Sequence, residues 1–453
     1  MSSSSTGGAG GASVLPWTKQ LGSADTDALW GIAEDPLRNT TIQVVVDKPI
    51  DFGNGQVVPN IGRNIALAKF DSAGGYLWSK LLPNTYDADP RELCDDGLGN
   101  LYLVGNMEGV SGGQDFSGPT LPEACSTNLF IAKLNGSGDH LWSKVYVDCS
   151  AQGIAEAAVD PSHNLLVIGA NEGTFQFDTG PVVAGAGSSA LVAKIAPNGT
   201  GIWARNFGVK QGGWGIAAAP NGNIVMVGFG TGAIDFGGVE LSPIWPNQFM
   251  GWVAELDTNG NYLWARSFNS DHSTLYGVEP QQVAVDPQGN VIIAGAFDDA
   301  CDFGGGSLQG ADAGSLFLAK YDSKGAYAWS RSFPSTGGAG PSPLHAIATS
   351  PTGDFWLQGA FYGSLKLGGN TLSGSASGDF FVARFDSGGT AIWSQASSTI
   401  GPAGAGAWPA GIAIDSTGSV AVGATFGGTM KLGAAFGGAQ LVGSTTDLFV
   451  GKF

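Results

Sequence analysis

Two glutamates stand at equivalent places in successive repeats of this chain. Glu92 lies in "DPRELCDDGLGN" and Glu156 in "IAEAAVDPSHN". A pair of carboxyls held together can do acid–base chemistry, one group giving a proton while the other takes it. Arg91 precedes Glu92, and His345 occupies the equivalent place of a later repeat. Glu92, Glu156, Arg91 and His345 are therefore the reacting groups of any catalytic reading. Carboxylates at a solvated rim are also ordinary surface residues. No serine motif, phosphate-binding loop or cysteine–histidine pattern accompanies them. Of the four histidines (His140, His163, His272 and His345), only His345 lies in these columns. A multi-histidine metal site is thus not expected, and no cofactor or metal is implied.

The same columns carry aromatics and amides. The repeats align on a turn position that reads Asp35, Asp96, Asp160, Ala219, Asp286, Ser350 and Asp415. Three residues earlier every residue is apolar, from Ile32 to Ile412. Five residues earlier the column reads Trp30, Arg91, Ala155, Trp214, Gln281, His345 and Ala410. The next reads Gly31, Glu92, Glu156, Gly215, Gln282, Ala346 and Gly411, and Trp408 sits just upstream in the seventh repeat. Indole rings beside charges and amides suit a sugar: the rings pack against C–H faces while the polar groups take hydroxyls. The bland reading is that these side chains are idle in solvent, or that the tryptophans plug a hole. Trp245, in "SPIWPNQ", is a further aromatic, either exposed for a partner or tucked into its own loop.

The elements that must position these groups are legible as repeats. "SLFLAKYDSKGAYAWSRSF", residues 315–333, has five close variants in the chain. Each reads as a β-hairpin: an apolar run, a turn rich in Asp, Asn, Ser and Gly, then a run centred on Trp. These tryptophans fall at 17, 78, 142, 203, 264, 329 and 393, in steps of 61, 64, 61, 61, 65 and 64. Nine residues before each later Trp stands Lys69, Lys133, Lys194, Glu255, Lys320 or Arg384. The final copy, "DLFVGKF", has its Lys452 but no Trp after it, whereas "VLPWTKQLG", residues 14–22, has a Trp with no hairpin before it. The two fragments complete one another. Radial closure also protects sheet edges. The other half of each unit, as in "QQVAVDPQGNVIIAGAF", supplies two more strands. The expected fold is therefore all-β: a seven-bladed β-propeller of four-stranded antiparallel blades, strands A to D. Residues 1–13 form a Gly/Ser linker, residues 14–453 a single propeller, and residues 14–22 the outer strand of blade 7.

Asp-x-x-Gly-Asn turns, an apolar strand ending in Gly, and Phe-Val-Ala-Lys-x-Asp-x-x-Gly followed by Trp-Ser together resemble the bacterial seven-bladed propeller repeat known as SBBP. The resemblance covers nearly all of residues 14–453. It implies the fold and an extracytoplasmic setting, but no common activity. Lys366-Leu367 and Lys431-Leu432 depart from it where other repeats carry Asp-Phe, and Arg38 stands where the A–B turn has Gly.

In such a meander with strand A innermost, the short A–B and C–D turns share one face. The longer, more variable D–A and B–C connections share the other, and function favours variable loops on a rigid scaffold. The ring tryptophans, and Phe52, Phe116, Phe177, Phe236 and Phe303, are wedge-filling residues. The aspartates beside the phenylalanines read as turn-formers.

Composition bounds the setting. The chain has 453 residues, 74 of them Gly, with 43% apolar and only 13% charged residues. This favours many tight turns over helices. A net charge of −18 disfavours nucleic acid and anionic membranes as partners. No apolar run is long enough to span a bilayer. The leader "MSSSSTGGAGGAS" resembles the spacer after the lipid-bearing cysteine of a bacterial surface lipoprotein; the other reading is an unprocessed cytoplasmic protein. Cys125 and Cys149 flank the blade 2 hairpin equidistantly from Ser137. A disulfide there would add roughly 3 kcal/mol in an oxidising compartment; two free thiols are the other possibility. Cys94 is expected to be buried and inert, and Cys301 has no sequence rationale.

The function expected is a monomeric, non-enzymatic binding scaffold of the cell surface or extracellular space. It would take glycan or protein at the D–A/B–C face and channel mouth through Trp30, Arg91, Glu92, Glu156, Trp214, Trp245, Gln281, His345 and Trp408. The alternatives are an enzyme acting there on a carbohydrate or small polar substrate, and a purely structural surface protein.

Overall fold

Seven antiparallel sheets of four strands each form a ring in the computed structural model of this chain. It describes residues 17–22, 27–59, 64–82, 85, 88–107, 116–122, 127–147, 152–271, 277–310, 314–336, 344–375, 378–400, 407–431 and 440–453. The linker, His272, Cys125 and Cys149 lie outside these residues, and so does the proposed disulfide. Blade 2 is representative, a meander of Ala88–Asp95, Leu101–Met107, Asn128–Leu134 and His140–Tyr146 paired in that order. Among the described residues no helix is long and apolar enough to cross a membrane.

The middle strands are buried along their whole length, as in Thr40–Val46 and Asn64–Phe70. Each blade is covered on both faces by its neighbours, so these strands read as continuous apolar runs rather than alternations. The cores accordingly lie between blades. Ile65 and Leu67 of blade 1 share one cluster with Leu101, Leu103 and Phe130 of blade 2, and Trp78 packs against it.

Blade 7 is composite. Its strands Ala407–Ile414, Val420–Lys431 and Gln440–Lys452 are completed by Trp17–Leu21, with Trp17 opposite Lys452 and Leu21 opposite Leu448. The two partial repeats do sum to one blade.

A polar girdle ties the ring on its short-turn face. Lys69, Lys133, Lys194 and Lys320 each pair with the turn aspartate of their own blade at 2.8–2.9 Å. The same ammoniums reach a carbonyl in the next blade's C–D turn, Gly136, Pro197, Thr258 or Ser387, at 3.2–3.4 Å. The indole N–H of Trp78, Trp142, Trp203 and Trp329 donates to that same carbonyl at 3.0–3.3 Å. Blade 4 has Ala219 in place of the aspartate, and Glu255 replaces the lysine: it accepts from Asn223 at 2.6 Å and from Trp264 at 2.7 Å.

Arg38 and His163 occupy their turns in the left-handed region, φ 67° and 65°, where the other five blades use Gly. The Asp-Phe-Gly aspartates fold back onto their own turns: Asp51 accepts from the N–H groups of Gly53 and Gly55, and Asp302 from those of Gly304 and Gly306. Phe52 and Phe303 are buried, and Leu367 fills the equivalent place in blade 6. Cys301 is fully buried in the blade 5 B–C ribbon, pairing with Leu308. Cys94 is half-buried rather than enclosed as expected. It lies on an innermost strand, whose channel side no further sheet covers, and its thiol faces the Ala157 carbonyl at 3.5 Å.

Candidate functional site

Every innermost strand breaks register at the same place. The ladder skips one residue in each blade, and the skipped residues are Trp30, Arg91, Ala155, Trp214, Gln281, His345 and Ala410. This is the irregular column of the sequence. A β-bulge sets two residues against one and re-aims the side chain at the kink. The residue before the bulge is Pro90, Pro280 or Pro409 in blades 2, 5 and 7. Proline in a sheet is confined to edges and bulges, and the innermost strand is both.

Strand B carries the counterpart. Gly105, Gly169, Gly228 and Gly295 each face the bulge, and a Cβ there would collide with the carbonyl of Asp89, Gly153, Gly212 or Glu279. In these four blades the strand B glycine is thus the clearance for the kink, while Val44 and Ala424 hold the place in blades 1 and 7.

The bulges surround a cavity of about 980 Å³ on the axis of the ring. Trp30, Arg91, Glu92, Glu156, Trp214, Gln281, His345 and Trp408 all line it. Trp245 does not; it stands 40% exposed on the blade 4 B–C connection. Three features at the mouth are aromatic. The Arg91 guanidinium lies 5.9 Å from the Trp30 ring, held there by Asp89 at 2.6 Å. Trp214, 45% exposed, stacks on Phe229 at 5.0 Å and 12°. Trp408, 40% exposed, meets Tyr362 edge-on at 6.2 Å.

Deeper in, side chains from different blades interlock. Gln281 accepts from the Leu344 N–H of blade 6 at 2.8 Å. Gln282 of blade 5 reaches past blade 4 to donate to Glu156 of blade 3 at 3.4 Å. Blade 4 permits this because Gly215 stands where a side chain would block the span; a Cβ on it would press against the Gln282 backbone.

These groups keep some contact with water, His345 being exposed on the channel wall, but the ring of blades packed around them disfavours charge. Burial pushes the Glu92 carboxyl up to about 8. Burial, with the adjacent Glu92, raises Glu156 well above the carboxylate range. Burial and the charge of Asp298 raise Glu279 to about 7. The same desolvation lowers His345 to about 4. At neutral pH Glu92 therefore favours its protonated form and His345 is uncharged, and burial shifts Glu156 in the same direction as Glu92. Glu92 and His345 thus offer the cavity neutral donors and acceptors, although the chain carries −18 and Glu279 stands near its midpoint. An acid–base pair needs one ionised partner, and burial works against ionisation of both carboxyls.

Glu279 escaped the sequence reading. It shares a column with Asp89 and Trp408, two residues before the bulge and two columns beyond the outer one of the sequence alignment. Among the described residues no group of three or more His, Cys, Asp or Glu side chains gathers to hold a metal.

No family model matches the chain, and no curated protein matches it. Similar solved structures include the WD40 domain of Neurospora crassa Pan2, at 10% identity over 94% of this chain and 89% of that one, TM-score 0.43. A polysaccharide lyase, an ulvan lyase, matches at 11% identity over 89% of this chain and 93% of its own, TM-score 0.46. A puromycin hydrolase matches at 12% identity over 93% of this chain and 54% of its own, TM-score 0.46. Likenesses this distant bear on neither activity nor ligand. The SBBP resemblance rests on its motifs alone; the propeller it implies is present.

Proposed function

We propose that this propeller is a non-enzymatic binding scaffold that takes a glycan in the mouth of its channel. One observation carries the reading: three partly exposed or half-buried tryptophans ring a cavity of about 980 Å³ in which burial raises the Glu92 carboxyl to about 8 and shifts Glu156 the same way. Pockets of this size hold a small ligand, with apolar walls and a few convergent polar groups. A protonated carboxyl both donates and accepts, as a sugar hydroxyl does, and the indoles supply faces for C–H groups. The Gly/Ser leader and the spacing of Cys125 and Cys149 support a cell-surface or extracellular setting. A glycan-array screen with Trp30→Ala and Trp214→Ala tests the reading; a ligand that ignores both substitutions overturns it.

One observation favours catalysis instead. Glu92, protonated up to about pH 8, is a proton donor at neutral pH. On that reading a channel-bound carbohydrate would turn over, and Glu92→Gln would abolish turnover while sparing affinity.

A further inference from the structure

The wedge between blades 6 and 7 departs from the other six on the short-turn face. Elsewhere the strand C residue at this position, basic except for Glu255 of blade 4, faces Thr41, Leu166, Val225, Ile292 or Ala421 in five blades and Tyr102 in blade 2. In blade 6 the partner is Trp356, opposite Arg384. The turn has changed with it. Ser350 replaces the usual turn aspartate, and the carboxylate has moved four residues on to Asp354, which holds Arg384 at 2.7 Å.

These exchanges line a cavity of about 250 Å³ with Trp356, Trp393 and Arg384 from blade 6, and Val420, Val422 and Phe453 from blade 7. The two indoles meet edge-to-face at 5.4 Å and 61°. The Arg384 guanidinium lies 5.8 Å from the Trp356 ring, so it presents a flat cation rather than a point charge. Its Nη2 is spent on Asp354, but its buried Nε–H finds no acceptor in the structure. A buried donor without an acceptor costs free energy, and a ligand that supplies one recovers it.

We propose that this cavity is a second binding site, on the face opposite the channel mouth, for a single aromatic ring carrying a neutral acceptor such as a carbonyl. The volume sets the size, since apolar cavities of roughly 150 Å³ already accept benzene. Two indole walls and the planar guanidinium set the aromatic preference. The existing ion pair sets the charge: Asp354 already neutralises Arg384, so a ligand carboxylate would meet a second carboxylate. The Nε–H then takes the ligand's acceptor.

Benzamide is the probe, followed by saturation-transfer NMR and by tryptophan emission, with cyclohexanecarboxamide as the non-aromatic control. Trp356→Val copies the residue blade 4 carries at this position, and Arg384→Lys copies the lysine of the other blades except blade 4 while removing the Nε–H. Near-UV circular dichroism checks that both fold. We expect saturable benzamide binding, weakened at least tenfold in Trp356→Val and severalfold in Arg384→Lys, and unchanged in Trp214→Ala. The absence of saturable binding, equal affinity for the control, or affinity untouched by Trp356→Val would overturn the site. So would loss in Trp214→Ala, which would place benzamide in the channel instead.

Discussion

The Trp17 indole N–H donates to the Ser72 carbonyl at 3.2 Å, and its ring packs 6.0 Å from Phe70. Trp17 belongs to blade 7, while Ser72 lies in the C–D turn of blade 1. The bond is the one that Trp142 makes to Pro197 between blades 2 and 3. The ring is therefore closed by the same device that joins its interior blades. Lys452 adds to it by bridging Asp415 of blade 7 and Glu34 of blade 1, at 3.1 and 2.5 Å.

Closure predicts a stability result. Trp17→Ala removes an interblade anchor and should cost about 3 kcal/mol, the lower end for truncating a packed indole. Trp142→Ala should cost the same within about 1 kcal/mol. Urea unfolding of both variants checks this. A Trp17→Ala protein as stable as the parent would mean that the N-terminal strand is dispensable.

Blade 4 predicts a coupling. Glu255 serves as an acceptor for Asn223 and Trp264 only because Ala219 leaves no aspartate beside it. Glu255→Lys alone should destabilise, since a lysine there lacks its carboxylate. Ala219→Asp alone should destabilise too, by setting two carboxylates together. The double variant rebuilds the ion pair of the other blades. A double-mutant cycle should show favourable coupling of about 1–3 kcal/mol; additive effects would contradict the exchange.

The bulge predicts a cost for its glycine. Gly295 faces the Glu279 carbonyl and the Pro280 backbone with no room for a Cβ. Gly295→Ala should lose about 2 kcal/mol through overpacking, and it should disturb ligand binding through Gln281 on the opposite strand. Thermal unfolding and ligand affinity, measured together, check both parts.

Much of this was legible in the chain because propeller repeats sample one environment seven times. The tryptophan spacing exposed the ring and its composite blade. The column Trp30, Arg91, Trp214, Gln281 and His345 stood out by its polarity. The bulge beneath it did not, since a register shift leaves the count of apolar positions intact; only the pairing reveals it. The upward shift of Glu92 and Glu156 was equally hidden, because the packing around them is contributed by several blades at once. The site between blades 6 and 7 was half visible. Arg384 broke the lysine pattern, but Trp356 had no reason to be paired with it until strands B and C were in register.

The Glu92 carboxyl predicts a pH dependence. Folded Glu92 keeps its proton up to about pH 8, whereas an ordinary glutamate releases it near 4.5. Between these values the folded state binds the extra proton, so raising the pH through that window weakens the fold. Glu92→Gln removes this loss. Its stability relative to the parent should climb from pH 4.5 to 8 and then level off. The His345 titration runs the other way below pH 6.5, but both proteins share it. Melting curves from pH 5 to 9 give the difference directly, and a flat difference would show that Glu92 titrates normally.

The central claim is that the channel mouth binds a glycan, and the most direct test is a glycan array read with tryptophan emission. The account predicts a saturable hit that shifts the emission and is lost in Trp30→Ala and Trp214→Ala. An array without hits, or a hit that survives both substitutions, would contradict it.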